Sequence, residues 1–371
     1  MSGFGAAACP RGPGPGTVRS VPRSTPVLAA LILALFSGTA QGATKSVSLG
    51  LPAAKSKPFA ALGAEVNAYF PSSITVRVGD KVRFLPPDGL HTVQFPTRGT
   101  SPAPLVSPGA PIAGATDPAG ASYWFNGEPD FELTGALFGV TFGKTRTYNG
   151  SQGLFSGLPF TKKPLTVKFT KAGTFTYYCN VHSGMKGRVT VRRSRAPSAK
   201  SDAKRVKTQL AAALKEARSL QNALLDKDQI QLGNGGRSGV EILAMYPGSL
   251  TVPVGTVLTF SVSRFSRAAH TATTGPGDPL REPDSFLGRL SASVRENPPF
   301  DQAGVYSSDP RGAPALLTPT LHGNGFWSTG FMDRSDATPQ PKNQQVKIVA
   351  PGTYSFYCLL HPFMKTVVTA T

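Results

Sequence analysis

Two short segments of the chain each place a cysteine, a histidine and a methionine at intervals of three residues. The first segment reads YYCNVHSGMKGRV from residue 177, and the second reads FYCLLHPFMKTVV from residue 356. A further histidine lies 88 residues before each cysteine. The two candidate ligand sets are therefore His91, Cys179, His182 and Met185, and His270, Cys358, His361 and Met364.

These side chains carry the donor atoms that hold copper in both of its common oxidation states. Two imidazoles, one thiolate and one thioether form the ligand set of a mononuclear blue copper site, in which methionine is a weak and long axial ligand. Zinc sites more often contain additional cysteines or histidines, or three protein ligands and an open position for water. The spacing therefore predicts two copper sites, one for each set.

The repetition extends beyond the ligands. The segment GAEVNAYFPSSITVRVGDKVRF from Gly63 matches GVEILAMYPGSLTVPVGTVLTF from Gly239 at an offset of 176 residues. Further along the chain the offset is 179 residues, so that His91 corresponds to His270 and Cys179 corresponds to Cys358. Self-similarity at a fixed period indicates repeated structural units. We therefore expect two domains of one fold.

Each half has the pattern of paired β-strands. In ITVRVGDKVRF, Ile74, Val76 and Val78 alternate with other residues before a Gly-Asp turn, after which Val82 and Phe84 resume the alternation. The first histidine follows this second strand, whereas the cysteine ends a later strand, GTFTYYC or GTYSFYC. We expect the ligands to meet from two loops at one end of a β-sandwich.

Composition agrees with this architecture. The 40 glycines and 34 prolines among 371 residues are numerous for a helical protein. A hydrophobic fraction of 40% is ordinary for a globular chain, and the length allows two domains with substantial cores.

Both halves resemble cupredoxins of the plastocyanin and amicyanin type. The resemblance rests on the complete ligand set in order, on the Gly-Thr-aromatic strand before each cysteine, and on the short C-x-x-H-x-x-M loop, which is similar to that of amicyanin. It implies an all-β fold of two cupredoxin-type Greek-key β-sandwiches joined by a helical linker, with one type 1 copper in each sandwich. It also implies that the backbone N–H groups of Thr92 and Thr271 donate to the cysteine sulfurs.

Copper enzymes that resemble these halves carry motifs that this chain lacks. Multicopper oxidases have paired H-x-H motifs, and none occurs among the five histidines here. Copper nitrite reductases have a histidine directly before the cysteine, where Tyr178 and Tyr357 stand in this chain. The resemblance therefore implies an electron-transfer protein and not an enzyme. His322, the fifth histidine, is more simply interpreted as a hydrogen-bonded loop residue than as part of a third metal centre.

Other interpretations stay open at this point. An exported chain could join Cys179 and Cys358 in a disulfide. The chain could also be a copper-binding or storage module in copper homeostasis, although Met-rich and His-rich tracts are absent. A third alternative is a non-redox binding scaffold in which the metal is structural.

The first 42 residues have the features of an export signal. Three arginines precede the apolar run VLAALILALF and the small-residue stretch SGTAQGA, which favours cleavage near Gly42. A membrane span needs about 20 apolar residues, so an uncleaved membrane anchor is the less favoured alternative. We expect a periplasmic or extracellular protein. The predicted organisation is a signal peptide at 1–42, a first cupredoxin domain at 43–195, a basic linker with an amphipathic helix at 196–232 and a second cupredoxin domain at 233–371.

The linker has the periodicity of one helix, predicted from about Asp202 to Leu225, with Ser198 and Ser201 as candidate caps. No other segment of the chain predicts a helix convincingly. The apolar positions of this helix are Leu210, Leu214, Ala217, Leu220 and Leu224. We expect this stripe to pack on one of the domains.

The charge of the chain is strongly positive. The formal net charge is +19, and removal of the three arginines of the signal segment leaves +16. From Lys186 to Arg218 there are eleven basic residues and two acidic ones. This balance predicts redox partner proteins with acidic docking surfaces, or an anionic membrane or cell-wall surface. Nucleic acid is not expected, because the chain has no recognition motif for it. The function expected is transport of single electrons between partners by Cu(I)/Cu(II) cycling.

Overall fold

The structure of the chain is a computed structural model that describes residues 42–86, 89–139, 141–158, 162–194, 196–222, 225, 227–296, 300–310, 312, 314–335 and 340–371. The predicted signal peptide lies outside the described residues except for Gly42. No helix in the described part of the chain is long and apolar enough to cross a membrane.

Short β-strands make up most of the regular structure in the described residues. The strands of the first half, β1 to β13, are Thr44–Leu49, Ala64–Val66, Tyr69–Phe70, Ser73–Arg77, Lys81–Leu85, Gln94–Phe95, Val106–Pro111, Pro129–Leu133, Thr145–Tyr148, Leu154–Phe155, Leu165–Phe169, Gly173–Tyr178 and Lys186–Arg192. Those of the second half, β14 to β23, are Gln229–Gly235, Val240–Tyr246, Ser249–Val252, Val257–Val262, Thr273–Thr274, Ala315–Leu317, Trp327–Ser328, Asn343–Ile348, Gly352–Tyr357 and Lys365–Ala370. The α-helices, α1 to α4, are Lys57–Ala60, Ala199–Ser219, Phe286–Glu296 and Gln302–Val305. Short 3-10 turns lie at Ala53–Lys55, Gly135–Phe138 and Leu321–Gly323.

The two halves have the same strand order in both of their sheets. In the first half the orders are β3-β1-β5-β11-β9 and β10-β6-β12-β13-β4. In the second half they are β15-β14-β17-β21-β19 and β20-β18-β22-β23-β16, with β2 added beyond β15. Apolar side chains from both sheets of each half meet in one core. The prediction of an all-β fold built from two β-sandwiches is confirmed.

The alternation of buried and exposed positions in β4 and β5 follows the sequence pattern, with one exception. Ile74, Val76, Val82 and Phe84 are buried in the core of the first half. Val78 was expected on the same face, but it lies beyond the end of β4 and its side chain is 40% exposed. The chain has already begun its turn there, because the Asp80 N–H bonds back to the carbonyl of Arg77.

One strand of the repeat is split in the first half. By the offset of 176 residues, β2 and β3 together correspond to the continuous strand β15. The part labelled β3 pairs with β1 of its own half, whereas β2 pairs antiparallel with β15 of the other half, so that Glu65 lies opposite Glu241. The two halves therefore share one six-stranded sheet.

Helix α2 packs over this shared sheet, as its apolar stripe predicted. Ala213 and Ala217 are buried against α1, β2 and β15. The observed helix begins earlier than expected, because the Ser198 side chain caps it by accepting a hydrogen bond from the Ser201 N–H. It ends earlier too, at Ser219, because side chains bond its last carbonyls: the Gln221 amide bonds Ala217 O, and the Asn234 amide bonds Leu220 O. Leu224 lies outside the described residues.

The expectation that the linker helix would be the only convincing helix was wrong. Helix α3, of 11 residues, lies in the long insertion of the second half. Leu287, Leu290 and Val294 on this helix are buried in a cluster that also includes Phe125 of the insertion in the first half. Gly288 and two serines weaken the helical pattern of α3 in the sequence, and its burial against the other insertion supplies the missing stability.

Candidate metal centres

The predicted ligands of the first set converge between two loops of the first sandwich. His91 lies between β5 and β6, Cys179 directly follows β12, and His182 lies in the loop before β13. The Nδ1 atoms of His91 and His182 are 3.1 Å apart, and Cys179 Sγ is 3.6 Å from His182 Nδ1. One donor atom from each of the three residues lies within 4.8 Å of the others.

The second set has the same arrangement. Cys358 Sγ lies 3.9 Å from His270 Nδ1 and 3.5 Å from His361 Nδ1, and the three donor atoms lie within 4.8 Å of one another. His270 and Cys358 are fully buried, whereas His361 is half-buried. In both sets the structure thus brings together a thiol and two imidazole Nδ1 atoms that are distant in the sequence.

Each methionine closes its ligand loop through the backbone. The Cys179 N–H donates to Met185 O, and the Met185 N–H donates to His182 O. The same two bonds join Cys358, His361 and Met364. Both methionine side chains are buried in the same core cluster as their cysteines, at 1% and 0% exposure. The spacing of three residues therefore forms a tight turn that holds the methionine beside the cysteine.

The cysteine sulfurs receive the backbone hydrogen bonds expected from the resemblance. The Thr92 N–H lies 3.5 Å from Cys179 Sγ, and the Thr271 N–H lies 3.4 Å from Cys358 Sγ. Each threonine hydroxyl also accepts a hydrogen bond from the backbone N–H that follows the cysteine. These contacts fix the two loops to each other and stabilise negative charge on sulfur.

Without metal, the first set is uncharged at neutral pH. Burial lowers the pKa of His91 to about 4 from its ordinary value of 6.5. Burial also lowers the pKa of His182 well below that value, and the neighbouring His91, His361 and Arg267 lower it further. Burial raises the pKa of the Cys179 thiol. Both imidazoles are therefore free to bind a metal, whereas the thiol must first lose a proton.

The second set differs, because Cys358 and His270 shift each other's pKa values and a buried glutamate contacts His270. Burial would raise the pKa of Cys358, but hydrogen bonds to His270 and His361 outweigh burial and hold that pKa well below its ordinary value. Burial would lower the pKa of His270, but contacts with Cys358 and Glu241 outweigh it and raise this pKa to about 10. Glu241 Oε1 lies 2.8 Å from His270 Nε2. Before any metal binds, the second set therefore favours a Cys358 thiolate beside a protonated His270, whose proton a metal must displace.

Glu241 is a site residue that sequence reasoning missed. It is 1% exposed, and its second oxygen accepts hydrogen bonds from the backbone N–H groups of Arg267 and Ala268. The repeat places Glu65 at the corresponding position, yet Glu65 lies on the displaced strand β2. Its pKa is raised by burial, an effect that the nearby His361 opposes. The shared glutamate was visible in the repeat, but its contact depends on strand pairing that the repeat does not reveal.

Two glycines that the sequence did not single out make room for the first histidines. Gly50 has a φ of 74°, and a Cβ there would lie 2.7 Å from His91 Nε2. Gly233 has a φ of 65°, and a Cβ there would lie 2.8 Å from His270 Nε2. Any side chain would need both a strained backbone and a displaced imidazole. The Leu-Gly pairs at 49–50 and 232–233 are the signal that could have revealed them.

The positions of the two cysteines and of His322 decide between the interpretations that the sequence left open. Cys179 and Cys358 are both free thiols, so the disulfide alternative is wrong. His322 Nδ1 donates to Asp117 Oδ2 at 2.9 Å, which agrees with a hydrogen-bonded loop residue. Among the described residues, the groups that could hold a metal are the two His-Cys-His sets.

The two sites are in direct contact through their loops. The N–H of Ser183, the residue after His182, donates to Arg267 O at 2.8 Å. Arg267 lies three residues before His270, and its guanidinium donates to Asn67 O at 2.6 Å. The ends of the two sandwiches that carry the candidate ligand sets therefore face each other.

Comparison with known proteins finds partial similarity to solved structures. No protein-family model matches the chain, and no curated protein matches it. Reduced auracyanin from Roseiflexus castenholzii matches with 18% identity over 38% of this chain and 94% of its own, at a TM-score of 0.22. An amicyanin variant in the Cu(I) state matches with 18% identity over 40% of this chain and 82% of its own, at a TM-score of 0.20. Oxidised plastocyanin from Dryopteris crassirhizoma matches with 19% identity over 38% of this chain and 99% of its own, at a TM-score of 0.20.

Proposed function

We propose that the chain is an electron-transfer protein with two mononuclear type 1 copper sites, one in each of two cupredoxin domains. The observation that carries the proposal is the convergence, twice, of two imidazole Nδ1 atoms and one cysteine sulfur on the same point. Copper bound there would supply a Cu(I)/Cu(II) couple that gains and loses single electrons.

The donor sets fit copper in their chemistry. His91 and His182 are held neutral at physiological pH, as ligands must be. In the second set the pKa of Cys358 is lowered towards the thiolate, and His270 would release its proton when a metal binds. Thr92 and Thr271 donate to the sulfurs and so keep each cysteine oriented towards its histidines. Met185 supplies a buried thioether in the first loop, as Met364 does in the second. The protein's part is to fix these ligands before and after an electron moves, so that little rearrangement is needed.

Copper content and the visible spectrum test the proposal. The chain, loaded with Cu(II), is expected to bind two coppers and to show an intense absorption band that bleaches on reduction. Cys179→Ser and Cys358→Ser are each expected to lose about half of the band, because a thiolate ligand is required for it. Met185→Leu removes the thioether of the first set and is expected to alter the part of the band that belongs to that site. Met245→Leu is the matched control and should leave the band unchanged, because Met245 is also buried but lies outside both sets.

The outcomes separate the electron-transfer proposal from its alternatives. Copper retained without a visible band, or retained by both serine variants, would favour a storage module or a structural metal. A colourless protein that binds no copper would exclude the proposal altogether.

We also propose an exported protein that docks acidic redox partners. The proposal for export rests on the N-terminal sequence alone, and mass spectrometry of the protein secreted from cells should find a chain that begins near residue 43.

The docking proposal is supported by exposed basic side chains along one face of the first sandwich. They are Arg77 on β4 and Lys186, Arg188 and Arg192 on β13, next to the basic helix α2. Binding of an acidic protein should weaken as salt is raised.

A further inference from the structure

Both candidate copper sites open into one cavity. The cavity has a volume of about 690 Å³, and His91 and His182 of the first set line it together with His361 of the second. This volume lies within the range of about 300–1,000 Å³ found for small-molecule sites. A space of this size suits a small molecule that contacts imidazoles of both sets at once.

The walls of the cavity favour a flat, uncharged ring. Most of the lining side chains are aliphatic or aromatic, and they include four phenylalanines: Phe131, Phe138, Phe300 and Phe331. Aromatic walls bind a planar ring by stacking and edge contacts. The charged side chains of the lining are Glu65, Asp333 and Arg295; two of the three are acidic, so a negatively charged ligand is disfavoured.

Two polar side chains that line the cavity can form hydrogen bonds with a hydroxyl group of a ligand. Glu65 lines the cavity from β2 and offers a carboxylate that accepts a hydrogen bond. Gln340 also lines it, and the NH₂ group of its side-chain amide can donate a hydrogen bond. A phenolic hydroxyl both donates and accepts, so it can satisfy an acceptor and a donor at once.

We propose that this cavity binds a small, uncharged hydroquinone as the electron donor of the two sites, an inference that rests on the proposed function. Two one-electron sites on one cavity match a donor that loses two electrons. One hydroquinone would give one electron to each Cu(II) site, release its two hydroxyl protons to water and become the benzoquinone. No other oxidant is needed for this balance.

Binding to the metal-free chain tests the inference without relying on copper. Isothermal titration calorimetry under nitrogen, with methylhydroquinone as the probe, is expected to show one molecule bound per chain. Hydroquinone sulfonate, the same ring with a negative charge, is expected to bind at least tenfold more weakly. In the copper-loaded chain, one methylhydroquinone per chain should bleach the visible band completely.

Variants locate the bound molecule. Leu133→Trp and Leu105→Trp would each fill part of the cavity from the β7–β8 ribbon and are expected to weaken binding at least tenfold. Leu316→Trp is the matched control, because Leu316 is 56% exposed on β19 and does not line the cavity. Circular dichroism of each variant confirms that it is folded.

The results distinguish failure of this inference from failure of the proposed function. Two coppers per chain with a band that dithionite bleaches, but no binding of methylhydroquinone, would overturn the cavity inference alone. Binding that both tryptophan variants leave unchanged would also overturn it. A chain that binds methylhydroquinone but no copper would support the cavity as a ring-binding site and overturn its role as the site of an electron donor.

Discussion

At the scale of single residues, His91 is the group whose environment has the clearest consequence in the metal-free protein. Its pKa is lowered to about 4 by burial, and that of His182 is lowered in the same direction. Between pH 6.5 and 4 the unfolded chain therefore binds more protons than the folded chain. Stability must rise with pH through this window and be lost as the pH falls.

We expect the free energy of unfolding of the metal-free chain to fall by about 3 kcal/mol through His91 alone as the pH drops from 6.5 to 4. Urea denaturation at a series of pH values measures this slope. His91→Gln removes the titrating group and should give a shallower dependence over the same range. An identical slope in the variant would show that His91 does not bind protons differently in the two states.

At the same scale, the convergence of the candidate ligands could be predicted because much of it depends on local spacing. The turn from Cys179 to Met185 and its copy from Cys358 to Met364 need only a few consecutive residues. Glu241 was missed because its contact with His270 spans 29 residues and depends on which way a strand residue faces.

At the scale of elements, helix α2 is joined to the β14–β15 turn by one side chain. Glu216 on the helix accepts hydrogen bonds from the backbone N–H groups of Arg237 and Ser238, at 2.9 Å each, and from the Ser238 hydroxyl. The carboxylate thereby satisfies donors that the turn itself leaves unpaired. Hydrogen bonds to a charged group are among the stronger ones in proteins.

Glu216→Ala is therefore expected to lower the free energy of unfolding by about 2 kcal/mol at neutral pH. The neighbouring Lys215 is exposed, and Lys215→Ala should change stability by no more than about 0.5 kcal/mol. Chemical denaturation of the three proteins in parallel gives the comparison. Equal losses in both variants would mean that the helix docks through its apolar stripe alone.

The elements also show where sequence patterns stop being informative. β4, β5 and α2 have strong periodicity and were predicted, with errors at their ends. β2 and β3 could not be separated in the sequence, because the match to β15 is continuous and the split arises from pairing with the other half. Helix α3 is stabilised by contacts with residues of the other insertion, which no local pattern encodes.

At the scale of the whole molecule, the shared sheet joins the two sandwiches into one folding unit. β2 of the first half completes the sheet of the second, and helix α2 covers the junction. Separating the halves would expose apolar side chains and unpaired strand groups on both sides. We therefore expect the chain to unfold in one step despite its internal repeat.

Differential scanning calorimetry of the metal-free chain should show a single transition whose van't Hoff and calorimetric enthalpies agree. Val76→Ala removes two methyl groups from the core of the first half only and should lower the midpoint of the whole transition by a few degrees. Two resolved transitions, with only one of them shifted, would show that the halves unfold independently.

The two glutamates that correspond in the repeat are placed differently, so the two candidate sites differ in the negative charge near their first histidine. Glu241 places negative charge against His270, whereas Glu65 has moved from the corresponding place beside His91. Negative charge stabilises the more positive, oxidised state of a bound metal, so the second site should hold an electron less tightly than the first. A potentiometric titration of Cys179→Ser and Cys358→Ser should give the lower reduction potential to the site built on Cys358, and Glu241→Gln should narrow the gap. Equal potentials would mean that an electron is equally stable at the two sites. Unequal potentials would mean that electrons pass from the site built on Cys358 to the site built on Cys179, so that the protein conducts them in one direction from donor to acceptor.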